Sequence, residues 1–82
     1  MPQILKRRGL RFVIYPNDHQ PSHVHIIGNG CEAVFNLRCP EGLPELRVNY
    51  DFSRKEPGKI SYELTMHLRD LCQNWREIHG YY

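Results

Sequence analysis

At 82 residues, 40% hydrophobic and 24% charged, the chain has the balance of a globular protein and the length for one domain, 1–82. No apolar run reaches the roughly 18 residues that span a membrane, and no signal-peptide core follows the basic N-terminal stretch, so a cytoplasmic address is expected. The formal charge of +2 argues against an acidic mimic of nucleic acid.

A chain this short buries only about 60% of its unfolded surface. A protein partner, a homo-oligomer or a bound ligand is therefore expected to add stability. Lys6, Arg7, Arg8 and Arg11 gather positive charge near the N-terminus and are candidate contacts for phosphate or nucleic acid, although most such clusters are simply solvated.

Leu10 to Tyr15 (LRFVIY) is rich in branched and aromatic residues, and Pro16-Asn17-Asp18 ends it with turn chemistry, which predicts a strand over 10–15. His23 to Ile27 (HVHII) reads as a second strand. Gly28-Asn29-Gly30 then turns the chain into Cys31 to Leu37, where Cys31, Ala33, Phe35 and Leu37 share a face at period two. Leu46, Val48 and Tyr50 alternate with polar residues and predict a half-buried strand over 46–50. From Lys59 to His79 the period lengthens: Ile60, Leu64, Leu68, Leu71, Trp75 and Ile78 recur at three- and four-residue steps, and Gly80 supplies a stop. The expected architecture is α+β, a three- to four-stranded antiparallel sheet packed against one long C-terminal helix over 59–79. Cys31, Cys39 and Cys72 are odd in number and lack C-x-x-C spacing, so they read as reduced thiols.

Chemistry concentrates in Asp18-His19-Gln20-Pro21-Ser22-His23-Val24-His25. His23 and His25 are two apart on a strand and leave the same face of the pleat, with Asp18 and His19 in the loop before them. Neutral imidazoles ligate zinc, nickel or iron, which makes His19, His23 and His25 candidate metal ligands. The same rings also suit metal-free acid–base chemistry. Against both stands a plain reading, in which Asp18 caps a turn and the histidines are the polar alternates of a strand. With one carboxylate in the motif, magnesium chemistry is disfavoured. His67 falls on the apolar stripe at its edge and should face the sheet. It can join His23 and His25 if those two point toward the helix, but not if Val24 and Ile26 do.

Gly9, Tyr15, the D-H-x-P-x-H-x-H stretch from Asp18 to His25, Gly30, Glu32-Ala33 and the H-x-x-x-L-x-x-N-W run from His67 to Trp75 resemble domain of unknown function 4160, a family of small bacterial proteins. Ser22 replaces the family's usual second loop proline, Cys31 its usual aromatic, and the stretch 40–58 is longer than expected. The resemblance implies a bacterial or phage protein encoded beside another small protein in a toxin–antitoxin-like pair, and brings no established activity.

Two functions follow as expectations. The first is a protein-binding component of such a toxin–antitoxin-like or regulatory pair. The second is a small histidine-dependent nuclease or hydrolase, metal-dependent or not, built on Asp18, His19, His23, His25 and His67.

Overall fold

In the computed structural model, residues 3–7 and 9–81 are described. They form five strands followed by two helices: β1 (Gln3–Arg7), β2 (Leu10–Val13), β3 (His23–Gly28), β4 (Cys31–Asn36), β5 (Glu45–Tyr50), α1 (Glu56–Met66) and α2 (Leu68–His79). The strands pair antiparallel in the order β1-β2-β3-β4-β5, a meander in which each strand lies beside its sequence neighbour.

The α+β class, with an antiparallel sheet against helix, is as the periodicities predict, and two details differ. One more strand is present, because β1 pairs with β2 through Lys6↔Arg11 and Arg7↔Leu10 across a tight turn in which Gly9 takes φ 78°. The helix is interrupted: α1 begins earlier, at Glu56 with Pro57 in its first turn, and His67 (φ −115°, ψ 16°) breaks it from α2. The break leaves the hydrophobic period intact. His67 N–H still donates to the Glu63 and Leu64 carbonyls and Leu71 N–H to that of His67, so the apolar stripe crosses the junction without losing phase. Periodicity therefore has no means of detecting it. Gly80 closes α2 in the left-handed conformation, φ 82°, as its position predicts.

One sheet face carries Leu10, Phe12, Ile14, Val24, Ile26, Ala33, Phe35 and Leu37, and packs on Ile60, Leu64, Leu71, Cys72 and Trp75 of the helices. β2 is shorter than predicted because the chain turns at Tyr15, where Asp18 N–H donates to the Tyr15 carbonyl at 3.0 Å; Ile14 nevertheless stays in the core. The β3–β4 hairpin is closed by Asn29 (φ 53°) and Gly30 (φ 76°) between paired Gly28 and Cys31. Two consecutive left-handed residues match the right-handed twist of the strands. In β5 only Val48 is half-buried; Leu46 and Tyr50 are exposed, since this edge strand carries a register shift opposite Val34/Phe35.

The cysteine expectation is corrected. Cys39 and Cys72 form a disulfide that ties the β4–β5 connection to α2 across 33 residues of sequence, and Cys31 remains a thiol. Nothing in the spacing signals this pair, which is brought together by the packing of that connection against the second helix. Among the described residues no helix is long and apolar enough to cross a membrane.

Cross-linking a loop of this length stabilises a fold by about 2–4 kcal/mol. Reduction is expected to lower the urea midpoint by that amount of stability, and Cys39→Ala to reproduce the loss, whereas Cys31→Ser leaves the midpoint unchanged. An identical midpoint with and without reductant in the wild type would refute the constraint.

Candidate metal centre

The alternation of β3 decides what faces what. Val24 and Ile26 enter the helix-covered core, so His25 emerges on the opposite face, in register with Val13 of β2 and Val34 of β4. Both valines are buried outside the main core cluster and wall the imidazole on either side. His23, at the first position of β3, is buried too, and its ring packs against Trp75 of α2 at 5.3 Å. The helix layer thus reaches one histidine of the pair, through Trp75 and not through His67.

Asp18 is placed by the turn that ends β2. Its Oδ2 accepts the Tyr15 backbone N–H at 3.0 Å, which aims the carboxylate back over the sheet. From there Oδ2 lies 3.4 Å from His23 Nε2 and 3.4 Å from His25 Nε2. One ligand atom from each of Asp18, His23 and His25 lies within 4.8 Å of the other two. The Tyr15 ring stands edge-on to His25 at 4.8 Å, and the two imidazoles are 5.3 Å apart.

The outward nitrogens are also held. His23 Nδ1 lies 2.9 Å from the Pro21 carbonyl, and His25 Nδ1 lies 3.1 Å from Glu32 Oε2. A carbonyl and a carboxylate only accept, so each Nδ1 must carry a proton and donate it. Both rings therefore turn Nε2 toward Asp18. In the neutral tautomers so fixed, each Nε2 presents a bare lone pair to a carboxylate, which is repulsive. Two positive charges resolve this: a second proton on each ring, or one divalent cation between the three groups. Ligand atoms around a tetrahedral zinc at about 2.1 Å sit about 3.4 Å apart, which matches both Asp18 distances. An imidazole whose Nδ1–H is held by a carbonyl or carboxylate while Nε2 points inward is the usual arrangement around a bound metal.

Of the residues singled out in the sequence, Asp18, His23 and His25 come together. His19 is exposed and outside the cluster, and His67 sits at the helix junction with Nε2 3.7 Å from Glu63 Oε2. Lys6 and Arg11 are exposed cross-strand neighbours; Arg7 pairs with Leu10 through its backbone, while its side chain and the whole of Arg8 lie outside the described residues. Sequence reasoning gave no chemical role to Glu32, Trp75 or His79. Glu32 was discoverable, because an Asn-Gly turn pairing residues 28 and 31 puts residue 34 opposite 25 and Glu32 on its diagonal. His79 stacks on Trp75 at 3.8 Å, with its Nδ1 3.2 Å from the Trp75 carbonyl.

A family profile described as a domain of unknown function, DUF4160, matches residues 9–76. The chain belongs to this family. The DUF4160 match spans the whole cluster, from the Asp18 turn through Glu32 to Trp75, and also the β4–β5 connection. No curated protein and no solved structure is detectably similar to the chain.

The tautomers are directly observable. Long-range proton–nitrogen NMR spectra are expected to show Nδ1 protonated in both His23 and His25, with added zinc removing any Nε2 proton and leaving Nδ1–H in place. An Nε2–H tautomer with bare Nδ1 at His23 would contradict the Pro21 contact.

Proposed function

We propose that the protein binds one divalent transition metal through Asp18, His23 and His25 and uses it as a small hydrolase acting on phosphodiesters. The observation that carries this reading is the orientation of the rings: both Nδ1 atoms are tied back and both Nε2 atoms converge on one carboxylate. Two histidines and one carboxylate leave coordination positions open for water and substrate, as in catalytic rather than structural sites. Zinc, nickel and iron suit these donors. A metal so held would supply a hydroxide nucleophile near neutral pH and polarise a phosphoryl oxygen. The chain's own residues hold and orient: Glu32 and the Pro21 carbonyl fix the rings, the Tyr15 amide fixes Asp18, and Val13 and Val34 shield His25 from bulk water. The cluster stays open to solvent on one side, with Asp18 and His25 side chains 15% and 17% exposed.

A second reading, the protein-binding component of a toxin–antitoxin-like or regulatory pair, draws on a different surface. Tyr62 and Met66, four apart on α1, are 65% and 64% exposed. Side chains at that spacing stand together on one helix face and suit a partner or a second copy. A cytoplasmic address belongs to this proposal as well, and the Cys39–Cys72 bond weighs against it, since a reducing compartment opens such bonds.

Elemental analysis of tag-free protein after exposure to zinc or nickel is expected to find one metal per chain. Asp18→Asn and the double variant His23→Ala/His25→Ala should each lower affinity at least about 100-fold, and Glu32→Gln about 10-fold, because it keeps the acceptor but loses the charge behind His25. Bis(p-nitrophenyl) phosphate hydrolysis should follow metal occupancy across the same variants. Sub-stoichiometric metal that is indifferent to these substitutions would overturn the site; stoichiometric metal without hydrolysis would overturn the activity alone.

A further inference from the structure

The sheet face opposite the helices can be read row by row from the strand register. Lys6 pairs with Arg11, Arg11 with Ile27, Ile27 with Glu32, and Glu32 with Tyr50. Directly paired residues share a face, so these five side chains form one row across all five strands. Strands lie about 4.8 Å apart, so the row is about 19 Å long. Lys6, Arg11 and Tyr50 are exposed, with Ile27 and Glu32 half-buried between them. The next row holds Val13, His25, Val34 and Val48, which places the Asp18–His23–His25 cluster about 7 Å from the first row, two residues along β3.

We propose that this row is a track for single-stranded RNA, laid across the strands with its backbone on Lys6 and Arg11 and a base on Tyr50. The cleavage part of the proposal rests on the metal site above; the binding part does not. Two neighbouring cations at one end give phosphate contacts, and an exposed phenol ring at the other gives a stacking surface that accepts any base. The open face of an antiparallel sheet is a platform on which other folds splay two or three single-stranded bases, whereas a duplex cannot present its bases to it. Glu32 selects the sugar. Its Oε2 accepts from His25, and the carboxylate, 40% exposed, stands midway along the track. There it repels phosphate but accepts a hydrogen bond from a ribose 2′-hydroxyl, a donor that DNA lacks. With a metal one row away, a phosphodiester held on the track lies beside the open coordination positions.

The test is fluorescence anisotropy with a labelled 12-nucleotide oligouridylate in chelator at low salt, so that binding is read without metal and without cleavage. Lys6→Ala/Arg11→Ala is expected to weaken binding at least about tenfold and to flatten a salt dependence of slope about −1.4 toward zero. Tyr50→Ala should weaken it at least about fivefold. Arg69→Glu at an exposed position of α2, which lowers the net charge by the same two units as the double variant, should leave affinity within about twofold. All these side chains are exposed, and circular dichroism confirms that each variant is folded; should the double variant unfold, Tyr50→Ala and Arg69→Glu still decide. The matching oligodeoxyuridylate, which differs only in lacking the 2′-hydroxyl, is expected to bind at least about fivefold more weakly, a difference that Glu32→Ala abolishes. Equal loss in Arg69→Glu, or no RNA binding by a protein that holds its metal, overturns the track. Equal affinity for DNA overturns the choice of RNA, and competition by polyglutamate as effective as by RNA reassigns the row to an acidic protein. RNA bound by a metal-free protein but left intact when zinc is restored would preserve the track and remove the hydrolytic reading.

Discussion

The arrangement depends on His25 having an acceptor against each of its ring nitrogens, Glu32 at Nδ1 and Asp18 at Nε2. No local sequence preference produces that. It follows from register, which burial enforces: Val24, Ile26, Ala33 and Phe35 are all withdrawn from solvent on the helix face. A slip of one residue would drive His25 into the core and put Val24 in water. The Asn29–Gly30 turn fixes the same register locally, so the apolar packing and the turn agree on where Glu32 must stand. The hydrophobic face of the sheet thus holds the polar face in position.

The other half of the cluster depends on the helix layer. Trp75, fully buried, packs on His23 and is itself stacked against His79. The helix is interrupted at His67 before α2 presents Trp75, and the Cys39–Cys72 bond holds α2 against the β4–β5 connection. The polar atoms Asn36 Oδ1, Trp75 Nε1 and His79 Nε2 are buried and find no partner among the described residues. Asn36 is the cross-strand neighbour of His23 and Trp75 packs on its ring, whereas His79 is reached only through Trp75. Unpaired buried polar atoms are costly in a finished interior. Two of the three belong to residues beside His23, a candidate metal ligand.

What was legible in the sequence was what period and turn chemistry encode. The faces of β3 and β4, the Asn-Gly hairpin, the helical stripe and its stop at Gly80 all follow from alternation and from residues with special backbone preferences. β1 was hidden because Lys6 and Arg7 read as part of a charge cluster rather than as the outer strand of a hairpin. The helix break was hidden because one non-helical residue does not disturb the phase of the stripe. The disulfide was hidden because its partners meet through tertiary packing. Within the site, the shared face of His23 and His25 follows from alternation, but the third member does not: Asp18 rather than His19 joins them because of a turn bond between Asp18 and the Tyr15 amide. His19 shows the converse: an imidazole inside the motif that the loop geometry leaves in solvent.

The same cluster bears on how so small a domain stays folded. Two carboxylates and two imidazoles, partly withdrawn from water, are a burden to a core of this size, because desolvating charge costs more than isolated pairing returns. Doubly protonated rings would satisfy the contacts only by placing two imidazolium charges 5.3 Å apart, centre to centre, against each other. A single divalent ion removes that repulsion, uses both lone pairs, and leaves each Nδ1–H with the acceptor it already has. Binding that favours the native state adds directly to its stability. The ion would then lock together the Asp18 turn and the start of β3, segments that otherwise meet through long contacts to one carboxylate. On the proposed metal reading, the site and part of the stability of the domain would draw on one set of atoms.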